Sequence, residues 1–248
     1  MSVAAIVQTR MGSTRLPEKA LTDLCGQPVL WHIYHRMRAA KTLDTFLIAT
    51  TDKSEDDAIA CFAKAQGIPC FRGSESNVLQ RFYFAAKTVR PDVVVRLTGD
   101  NVMIDPVLVD KGVYVFLNSE LDYLYYRQGL PIGMAVEIFR FAALEKSYFE
   151  ASDTECLEHV TPYIYRNPDL FHCKRWPCEG EDRSTVRWTL DTPEDFRLIQ
   201  NMYAGLYPHD PLFTYKEAIR WYDSHPEWKN INGAVVQKTV KYQGQKGK

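Results

Sequence analysis

The densest group of anion-binding side chains lies in the segment QTRMGSTRLPEK, residues 8–19. Its side-chain hydrogen-bond donors include Arg10, Ser13, Thr14, Arg15 and Lys19. An arginine can donate two parallel hydrogen bonds to phosphate oxygens, and a lysine adds a compact positive charge. Gly12 allows the backbone to approach a bound group closely. The segment therefore predicts a loop that binds the phosphates of a nucleoside triphosphate, and a solvated basic loop with surface ion pairs is the alternative.

This segment differs from the two common glycine-rich phosphate motifs. Neither GxxxxGK[ST] nor GxGxxG occurs in it. Phosphate binding by this loop would depend on side-chain cations more than on backbone groups presented by glycines.

Two aspartates farther along the chain could hold a metal ion beside those phosphates. Asp100 ends the apolar stretch PDVVVRLTGD, and Asp191 lies in TLDTPED after another apolar stretch. A carboxylate repels a phosphate unless a cation lies between them, and Mg²⁺ is commonly held by one or two carboxylates together with substrate phosphates. The pair predicts a Mg²⁺ site, although Asp191 could instead be a turn or capping residue. Asp105, before Pro106, is interpreted as a helix cap.

Glu158 and His159, in LEHVTPY, are the most suggestive acid and histidine of the second half. A structural role for His159 remains open, because a lone histidine is often a satisfied structural residue. Glu194 and Asp195 are interpreted as first-turn acids that respond to a helix dipole, with Thr192 as the cap. The histidines interpreted as structural are His32, His35, His172, His209 and His225.

The first half of the chain alternates strand and helix patterns. Strands are predicted at 3–7, 45–52, 68–73 and 91–100, and helices at 26–40, 54–67, 76–89 and 106–119. This order predicts an α/β fold with a mostly parallel sheet flanked by helices on both faces. Ligands of such sheets bind beyond the carboxyl ends of the strands, and the four predicted strands end in the polar residues QTR, TTD, RG and TGD.

The pattern changes after about residue 120. Strands are predicted at 122–126, 134–139, 172–176 and 185–190, and helices at 141–151, 154–166, 192–206 and 214–226. We expect one domain over residues 1–232, with a small β-containing excursion at about 120–185. Residues 233–248 are rich in lysine and poor in apolar residues, which predicts a flexible basic tail.

The composition is that of an ordinary globular protein, with 46% hydrophobic residues and a formal net charge of -1. This charge gives no bias toward nucleic acid. The six cysteines form no CxxC pair and fit no zinc site. No signal peptide or membrane span is expected, because the start turns polar early and no apolar run approaches about 20 residues. A cytoplasmic protein with scattered thiols is the expectation.

These stretches together resemble the cytidylyltransferases that make CMP-activated sugar acids, including the Kdo and acylneuraminate cytidylyltransferases. The most similar group is that of spore coat polysaccharide biosynthesis. The resemblance covers about residues 3–225, and its most specific part is R-x-x-S-T-R-L-P-x-K-x-L, beginning at Arg10. TGD followed by IDP, EHVTPY and RWTLDTPEDF follow in the expected order. The resemblance implies a Rossmann-like nucleotidyltransferase sheet, a Mg²⁺ cofactor and a homodimer joined through the excursion.

The resemblance also implies roles for individual residues. Arg10 and Lys19 match residues that hold the CTP triphosphate, with Arg15 assisting, and Asp100 and Asp191 match the metal-binding aspartates. The further residues expected at the nucleotide are Gly12, Ser13, Thr14, Thr50, Thr51, Arg72, Asn77, Arg81 and Thr98. The residues expected at the sugar acceptor are Gly133, Glu137, Glu158 and His159.

The acceptor region departs from the family pattern more than the phosphate region does. Ile132 and Ala135 stand where relatives often have two acids, and Leu157 stands where they often have an arginine. The resemblance implies a transfer of CMP from CTP to a sugar acid with release of pyrophosphate, and these departures leave the sugar open. A nucleotidyltransferase acting on a sugar 1-phosphate, a glycosyltransferase and a non-catalytic nucleotide-binding module are the alternatives.

Overall fold

The computed structural model describes residues 1–177 and 180–236 of the chain. A seven-stranded sheet in the order β5-β4-β1-β6-β8-β7-β9 forms its centre. The strands are β1 (Val3–Gln8), β2 (Asp23–Leu24), β3 (Gln27–Pro28), β4 (Thr45–Thr51), β5 (Cys70–Gly73), β6 (Val93–Thr98), β7 (Tyr123–Gln128), β8 (Val136–Arg140) and β9 (Cys173–Pro177). Strands β2 and β3 form a separate two-stranded hairpin.

Helices cover both faces of the sheet. They are α1 (Val29–Met37), α2 (Asp57–Ala65), α3 (Val78–Val89), α4 (Pro106–Leu117), α5 (Phe141–Glu150), α6 (Thr154–His159), α7 (Pro162–Arg166), α8 (Pro193–Leu206) and α9 (Tyr215–Ser224). Two short 3-10 helices span Ser54–Asp56 and Pro226–Trp228. Among the described residues, no helix is long and apolar enough to cross a membrane.

The sheet is mostly parallel, which confirms the predicted fold class. Strands β5, β4, β1 and β6 pair in parallel, whereas β8 runs antiparallel to both of its neighbours, β6 and β7. The predicted excursion therefore continues the central sheet, because β8, β7 and β9 extend it from the edge of β6.

Alternating side chains of the central strands pack into two hydrophobic cores. In β1, Ala5 and Val7 join one core and Ile6 joins the other, and all three are fully buried. In β6, Val93 and Val95 pack into the same core as Ala5 and Val7. A strand that buries both faces reads as a continuous apolar run, which is why VAAIV and VVV predict their strands correctly.

Two predicted elements are wrong. Residues 185–190 form no strand in the structure; Arg187 makes a single isolated bridge to Ile132 instead. The predicted helix 154–166 is two helices, α6 and α7, separated at Val160 and Thr161. Pro162 has no backbone N–H to continue the first helix, so it begins the second one.

Two capping predictions are confirmed at the ends of segments that reach the site. The Asp105 carboxylate accepts from the backbone N–H of Val107 at 2.7 Å at the start of α4. The hydroxyl of Thr192 and the carboxylate of Asp195 form a reciprocal capping box at the start of α8. The predicted basic tail from 237 onward lies outside the described residues, as does Cys178; the other five cysteines are free thiols.

Candidate active site

A cleft of about 620 Å³ opens at the carboxyl ends of β1 and β6, where an α/β sheet is expected to bind its ligand. It is lined by Gln8, Thr9, Arg10, Ser13, Thr14, Arg15, Lys19, Glu75, Ser76, Val78, Arg81, Thr98, Gly99, Asp100, Thr154, Glu158, His159 and Asp191. All four residues predicted to be catalytic are in this lining: Arg10, Lys19, Asp100 and Asp191. The structure therefore brings together groups that are far apart in the sequence.

The basic loop is folded around the backbone of Met11. The carbonyl oxygen of Met11 accepts from the N–H groups of Ser13 at 2.7 Å and Glu18 at 3.1 Å. The N–H of Met11 donates to the carboxylate of Asp56 at 2.7 Å. These bonds close the loop into a compact turn, so its side-chain cations project from a defined backbone.

Asp56 is a fully buried anchor that the sequence did not reveal. It lies in the 3-10 helix after β4, and its carboxylate also accepts from the N–H of Thr51 at 3.1 Å and from the Thr51 hydroxyl. A buried carboxylate is stable only when hydrogen bonds satisfy it, and here the phosphate loop supplies one of them. In the sequence it stands between Glu55 and Asp57, and nothing in that run separates it from a surface acid.

Lys19 links the two aspartates that end distant apolar segments. Its ammonium nitrogen lies 3.1 Å from Asp100 Oδ2 and 3.2 Å from Asp191 Oδ1. It also donates to the carbonyl oxygen of Leu190 at 2.7 Å, so the three ammonium hydrogens have three acceptors. The Lys19 side chain is only 14% exposed. Because all three acceptors are close, the position of its charge is well defined.

Three cationic side chains contact the carboxylate of Asp191. Besides Lys19, Arg15 lies 3.3 Å away and Arg187 lies 2.8 Å away, both at Oδ2. Burial by itself raises the pKa of the Asp191 carboxyl, but the attraction of Lys19 and the two arginines outweighs it. The pKa therefore lies below its usual value, and the group is a carboxylate at neutral pH.

Arg187 contacts Asp191 and is itself bound by a second carboxylate, that of Asp195. Its guanidinium, 5% exposed, donates to both carboxylate oxygens of Asp195, at 2.8 Å and 2.9 Å. Asn232 donates to Asp195 Oδ1 at 2.8 Å and to the carbonyl oxygen of Arg187 at 2.9 Å. Asp195 is a first-turn acid of α8 as predicted, but it is also fully buried and binds Arg187, which the prediction did not include.

Asp100 is positioned by the chain around the end of β6. The Thr98 hydroxyl donates to Asp100 Oδ1 at 2.6 Å. Gly99 lies against β1, and a Cβ at this position would come within 2.4 Å of the Thr9 side-chain oxygen. A glycine is therefore needed here for the close approach of the two strand ends, which sets the direction of the Asp100 side chain.

The donor atoms around Lys19 fit a Mg²⁺ ion that also takes oxygens from a substrate. Asp100 and Asp191 provide carboxylate oxygens, the ligands that Mg²⁺ prefers, and both already contact one shared cation. Within 1–177 and 180–236, no cluster of three His, Cys, Asp or Glu side chains could hold a metal ion. A metal at this place would need phosphate oxygens or water to complete its coordination.

One wall of the cleft carries the arginines of the nucleotide prediction. Arg10 pairs with Glu75 at 3.0 Å, and Arg81 donates to the carbonyl oxygen of Ser74 at 2.5 Å. Arg81 is 4% exposed, and its Nε has no hydrogen-bond partner within residues 1–177 and 180–236. Burial and the nearby charge of Arg10 lower the pKa of Arg81 to about 10. An anion bound here would compensate the buried charge.

Several predicted nucleotide residues do not line the cleft. Arg72 binds the carbonyl oxygen of Thr51 at 2.9 Å and the carboxylate of Asp57 at 2.6 Å. The Asn77 side chain caps α3 by accepting from the N–H of Gln80 at 2.8 Å. The others outside the lining are Gly12, Thr50 and Thr51. Gly12 lies beside Glu55, and Thr50 and Thr51 are buried behind the loop.

The predicted acceptor residues divide into two groups. Glu158 and His159 line the cleft, together with Thr154, which the sequence did not indicate. Gly133 does not line it: its φ is +100°, and a Cβ would come within 2.5 Å of the Trp188 carbonyl oxygen. Gly133 therefore forms a tight turn against the backbone at Trp188. Glu137 also lies outside the lining, and its carboxylate binds other side chains.

Comparison with known proteins gives one consistent family. Residues 4–223 match the family described as Cytidylyltransferase. Uncharacterized protein MJ1063 of Methanocaldococcus jannaschii is 40% identical over 244 residues, which are 97% of this chain and 98% of that protein. The spore coat polysaccharide biosynthesis protein SpsF of Bacillus subtilis is 37% identical over 211 residues, covering 82% and 88%.

Solved structures and further relatives agree with that match. A cytidylyltransferase structure from Leptospira borgpetersenii has a TM-score of 0.88 and 30% identity, covering 96% of this chain and all of that one. Several relatives named 3-deoxy-manno-octulosonate cytidylyltransferase are 27% to 38% identical and cover between 44% and 83% of this chain and between 44% and 92% of their own.

Proposed function

This chain belongs to the cytidylyltransferase family, and we propose that it transfers CMP from CTP to a sugar acid. The acceptor class is a nonulosonic acid or a 3-deoxy-manno-octulosonate-like sugar, and pyrophosphate is the second product. The product would serve the synthesis of a surface polysaccharide, as the name of the Bacillus subtilis relative suggests for that protein. The observation that carries the proposal is the contact of Lys19 with both Asp100 and Asp191 inside a cleft lined by Arg10 and Arg15.

The cations of the cleft would hold the triphosphate. Arg10 and Lys19 would bind the β- and γ-phosphates, and Arg15 would add hydrogen bonds from the same loop. Ser13 and Thr14 line the cleft beside them and add hydroxyl donors. Arg10 would exchange its contact with Glu75 for one with phosphate. The same cations would then stabilise the negative charge of the departing pyrophosphate.

Asp100 and Asp191 would hold a Mg²⁺ ion against the α-phosphate. A Mg²⁺ ion held there would supply neutralisation of the charge on the α-phosphate and a higher acidity of the acceptor hydroxyl. Asp191 suits this role because its pKa, lowered by Lys19 and the two arginines, keeps it ionised. Lys19 would bind phosphate oxygens beside this pair of carboxylates.

In the transfer step, the acceptor oxygen attacks the α-phosphorus of CTP. The bond from that phosphorus to the bridging oxygen of the β-phosphate breaks, pyrophosphate leaves with the electron pair, and the proton of the acceptor hydroxyl passes to water. Positioning and charge neutralisation supply most of the catalysis in reactions of this kind. Glu158 and His159 would bind acceptor hydroxyls, because they line the cleft beyond the phosphate loop.

We also propose that two copies associate through the segment 120–185. The edge strand β9 and the end of α4 border a groove of about 520 Å³ that includes His172, Lys174 and Trp176. Tyr114, 68% exposed, lies on the same groove. Light scattering of the purified protein gives the mass directly, and a monomer of 28.6 kDa would exclude this association.

The reaction is tested by measuring pyrophosphate release with each of the four nucleoside triphosphates. Each is combined with a panel of nonulosonic acids, 3-deoxy-manno-octulosonate and sugar 1-phosphates, with Mg²⁺ present. Release with CTP and a sugar acid is the expected result. Release with UTP or dTTP and a sugar 1-phosphate, but none with CTP, would contradict the proposal. That result would favour a nucleotidyltransferase that acts on a sugar 1-phosphate.

A further inference from the structure

The wall of the cleft that carries Glu158 and His159 ends in a strained turn. Val160 has φ +71° and ψ -55°, and Thr161 donates its N–H to the carbonyl oxygen of His159 at 2.8 Å. This is a γ-turn of the rare positive-φ kind, and a β-branched residue at its centre is an outlier. Such a conformation persists only when its surroundings hold it, and it occurs most often at functional sites.

A carboxylate that is 13% exposed, that of Glu137, holds the turn. The hydroxyl of Thr161 donates to Glu137 Oε1 at 2.7 Å, and Thr161 is 2% exposed. Glu137 projects from β8, and the same oxygen also accepts from the hydroxyl of Tyr123 at 2.6 Å. The backbone after His159 is therefore tied by a side-chain hydrogen bond to the central sheet.

The carboxylate is itself tied to the floor of the cleft. Arg96 of β6 forms an ion pair with Glu137 Oε2 and donates from Nε to Gln8 Oε1 at 3.0 Å. Gln8 is the last residue of β1 and lines the cleft. A continuous chain of hydrogen bonds and one ion pair thus runs from Gln8 in the cleft lining through Arg96 and Glu137 to Thr161, two residues after His159.

We propose that Glu137 is a positioning residue for the acceptor: through Thr161 it holds the turn at Val160 and so orients Glu158 and His159 in the cleft. The proposal rests on the proposed function for the identity of the acceptor. It gives Glu137 a part in acceptor recognition without direct contact, which fits its place outside the cleft lining.

The chain offers a matched set of variants for the test. Thr161→Val keeps the shape of the side chain and removes the donor, whereas Thr161→Ser keeps the donor. Tyr123→Phe removes a hydrogen bond to the same oxygen of Glu137 without touching the turn. Thr161→Ala is a second donor-free variant with a smaller side chain, for use where the valine at this buried position disturbs folding.

Steady-state kinetics separate positioning from a general structural effect. Thr161→Val and Thr161→Ala are expected to raise KM for the acceptor roughly tenfold, with KM for CTP within about twofold of the wild type. Thr161→Ser and Tyr123→Phe are expected to stay near the wild type in both constants. An unchanged acceptor KM in the donor-free variants, or an equal rise in the KM for CTP, would overturn the proposal.

A second measurement does not depend on turnover. In protein with ¹³C-labelled histidine rings, the resonance of His159 is assigned by its loss in His159→Gln. We expect Thr161→Val to shift or broaden that resonance in the absence of substrates, and Tyr123→Phe to leave it in place. An unmoved resonance would overturn the positioning proposal, whereas a wild-type protein without activity on any sugar acid would count against the proposed function instead.

Discussion

The ammonium nitrogen of Lys19 lies 3.1 Å from the carboxylate of Asp100, although the two residues are 81 positions apart in the chain. This contact joins the phosphate loop after β1 to the end of β6, and Asp191 meets the same ammonium from a third segment. A lysine between two acids places a positive charge where a phosphate-bound metal would be.

Asp191 should stabilise the fold in a pH-dependent way. At pH 7, Asp191→Asn is expected to lower the free energy of unfolding by about 1–3 kcal/mol, because it removes the carboxylate shared by Lys19, Arg15 and Arg187. The folded-state pKa lies below the ordinary value of 3.8, so this stabilisation is complete above that value. It is lost as the pH falls through the folded-state pKa.

Urea unfolding curves of the wild type and Asp191→Asn between pH 7 and pH 2.5 measure that difference. We expect the difference to be constant down to about pH 4 and then to shrink. A difference that grows on acidification would show that the carboxyl is protonated more readily in the folded state, contrary to this account.

Arg187 should control the affinity for Mg²⁺ through Asp191. Arg187→Lys cannot bind Asp191 and Asp195 with the same fork of donors, so the Asp191 carboxylate loses its fixed direction. We expect the Mg²⁺ concentration for half-maximal turnover to rise about tenfold, as for other residues that orient metal ligands. Arg183→Lys, at an arginine that pairs with Asp223 away from the cleft, is the control and should not change this concentration.

Asp56 should be required for the shape of the phosphate loop. Asp56→Asn weakens the bond to the N–H of Met11 and places an amide donor beside it, so KM for CTP should rise while KM for the acceptor stays constant. The free energy of unfolding should fall by about 1–3 kcal/mol, because the residue is fully buried. Glu55→Gln, at the exposed neighbouring position, is the control. Equal effects of the two variants on KM for CTP would contradict a specific role of Asp56 in the shape of the phosphate loop.

Arg81 should bind the nucleotide through its planar guanidinium. Its pKa of about 10 leaves it charged at pH 7, and its Nε has no partner among the described residues. Arg81→Lys keeps the charge and loses the fork, so we expect calorimetry to show CTP binding about tenfold weaker. CTP binding of wild-type strength in this variant would place the nucleotide on another wall.

The sequence predicted the fold because apolar strands, helix caps and turns carry local signals. VAAIV and VVV are buried on both faces of the sheet, and Asp105 caps its helix as its place before Pro106 indicates. The failures occurred where tertiary contacts decide the structure. Residues 185–190 look like a strand, yet only Arg187 makes a bridge, because that segment turns to bury its arginine against Asp195.

Residues of the candidate site that belong to sequence motifs could be predicted. Residues from distant segments that hold those side chains in place could not. Arg10, Lys19, Asp100 and Asp191 were identified from residue type, strand ends and resemblance, and all line the cleft. The supporting role of Asn232 has no sequence signal, because the residue it holds, Asp195, is 37 positions away. Glu137 was identified for the acceptor side, but its contacts lead through Thr161 rather than into the cleft.

The assignment of the cleft as the active site is tested by comparing the wild type with Lys19→Ala in CTP-dependent pyrophosphate release, using the sugar acid that gives the highest wild-type rate. Lys19→Ala removes the group that contacts both aspartates and would bind the leaving phosphates, so we expect at least about a hundredfold lower kcat. The circular dichroism spectrum should remain that of the folded wild type. Near-normal release by folded Lys19→Ala would contradict the assignment of this cleft as the active site.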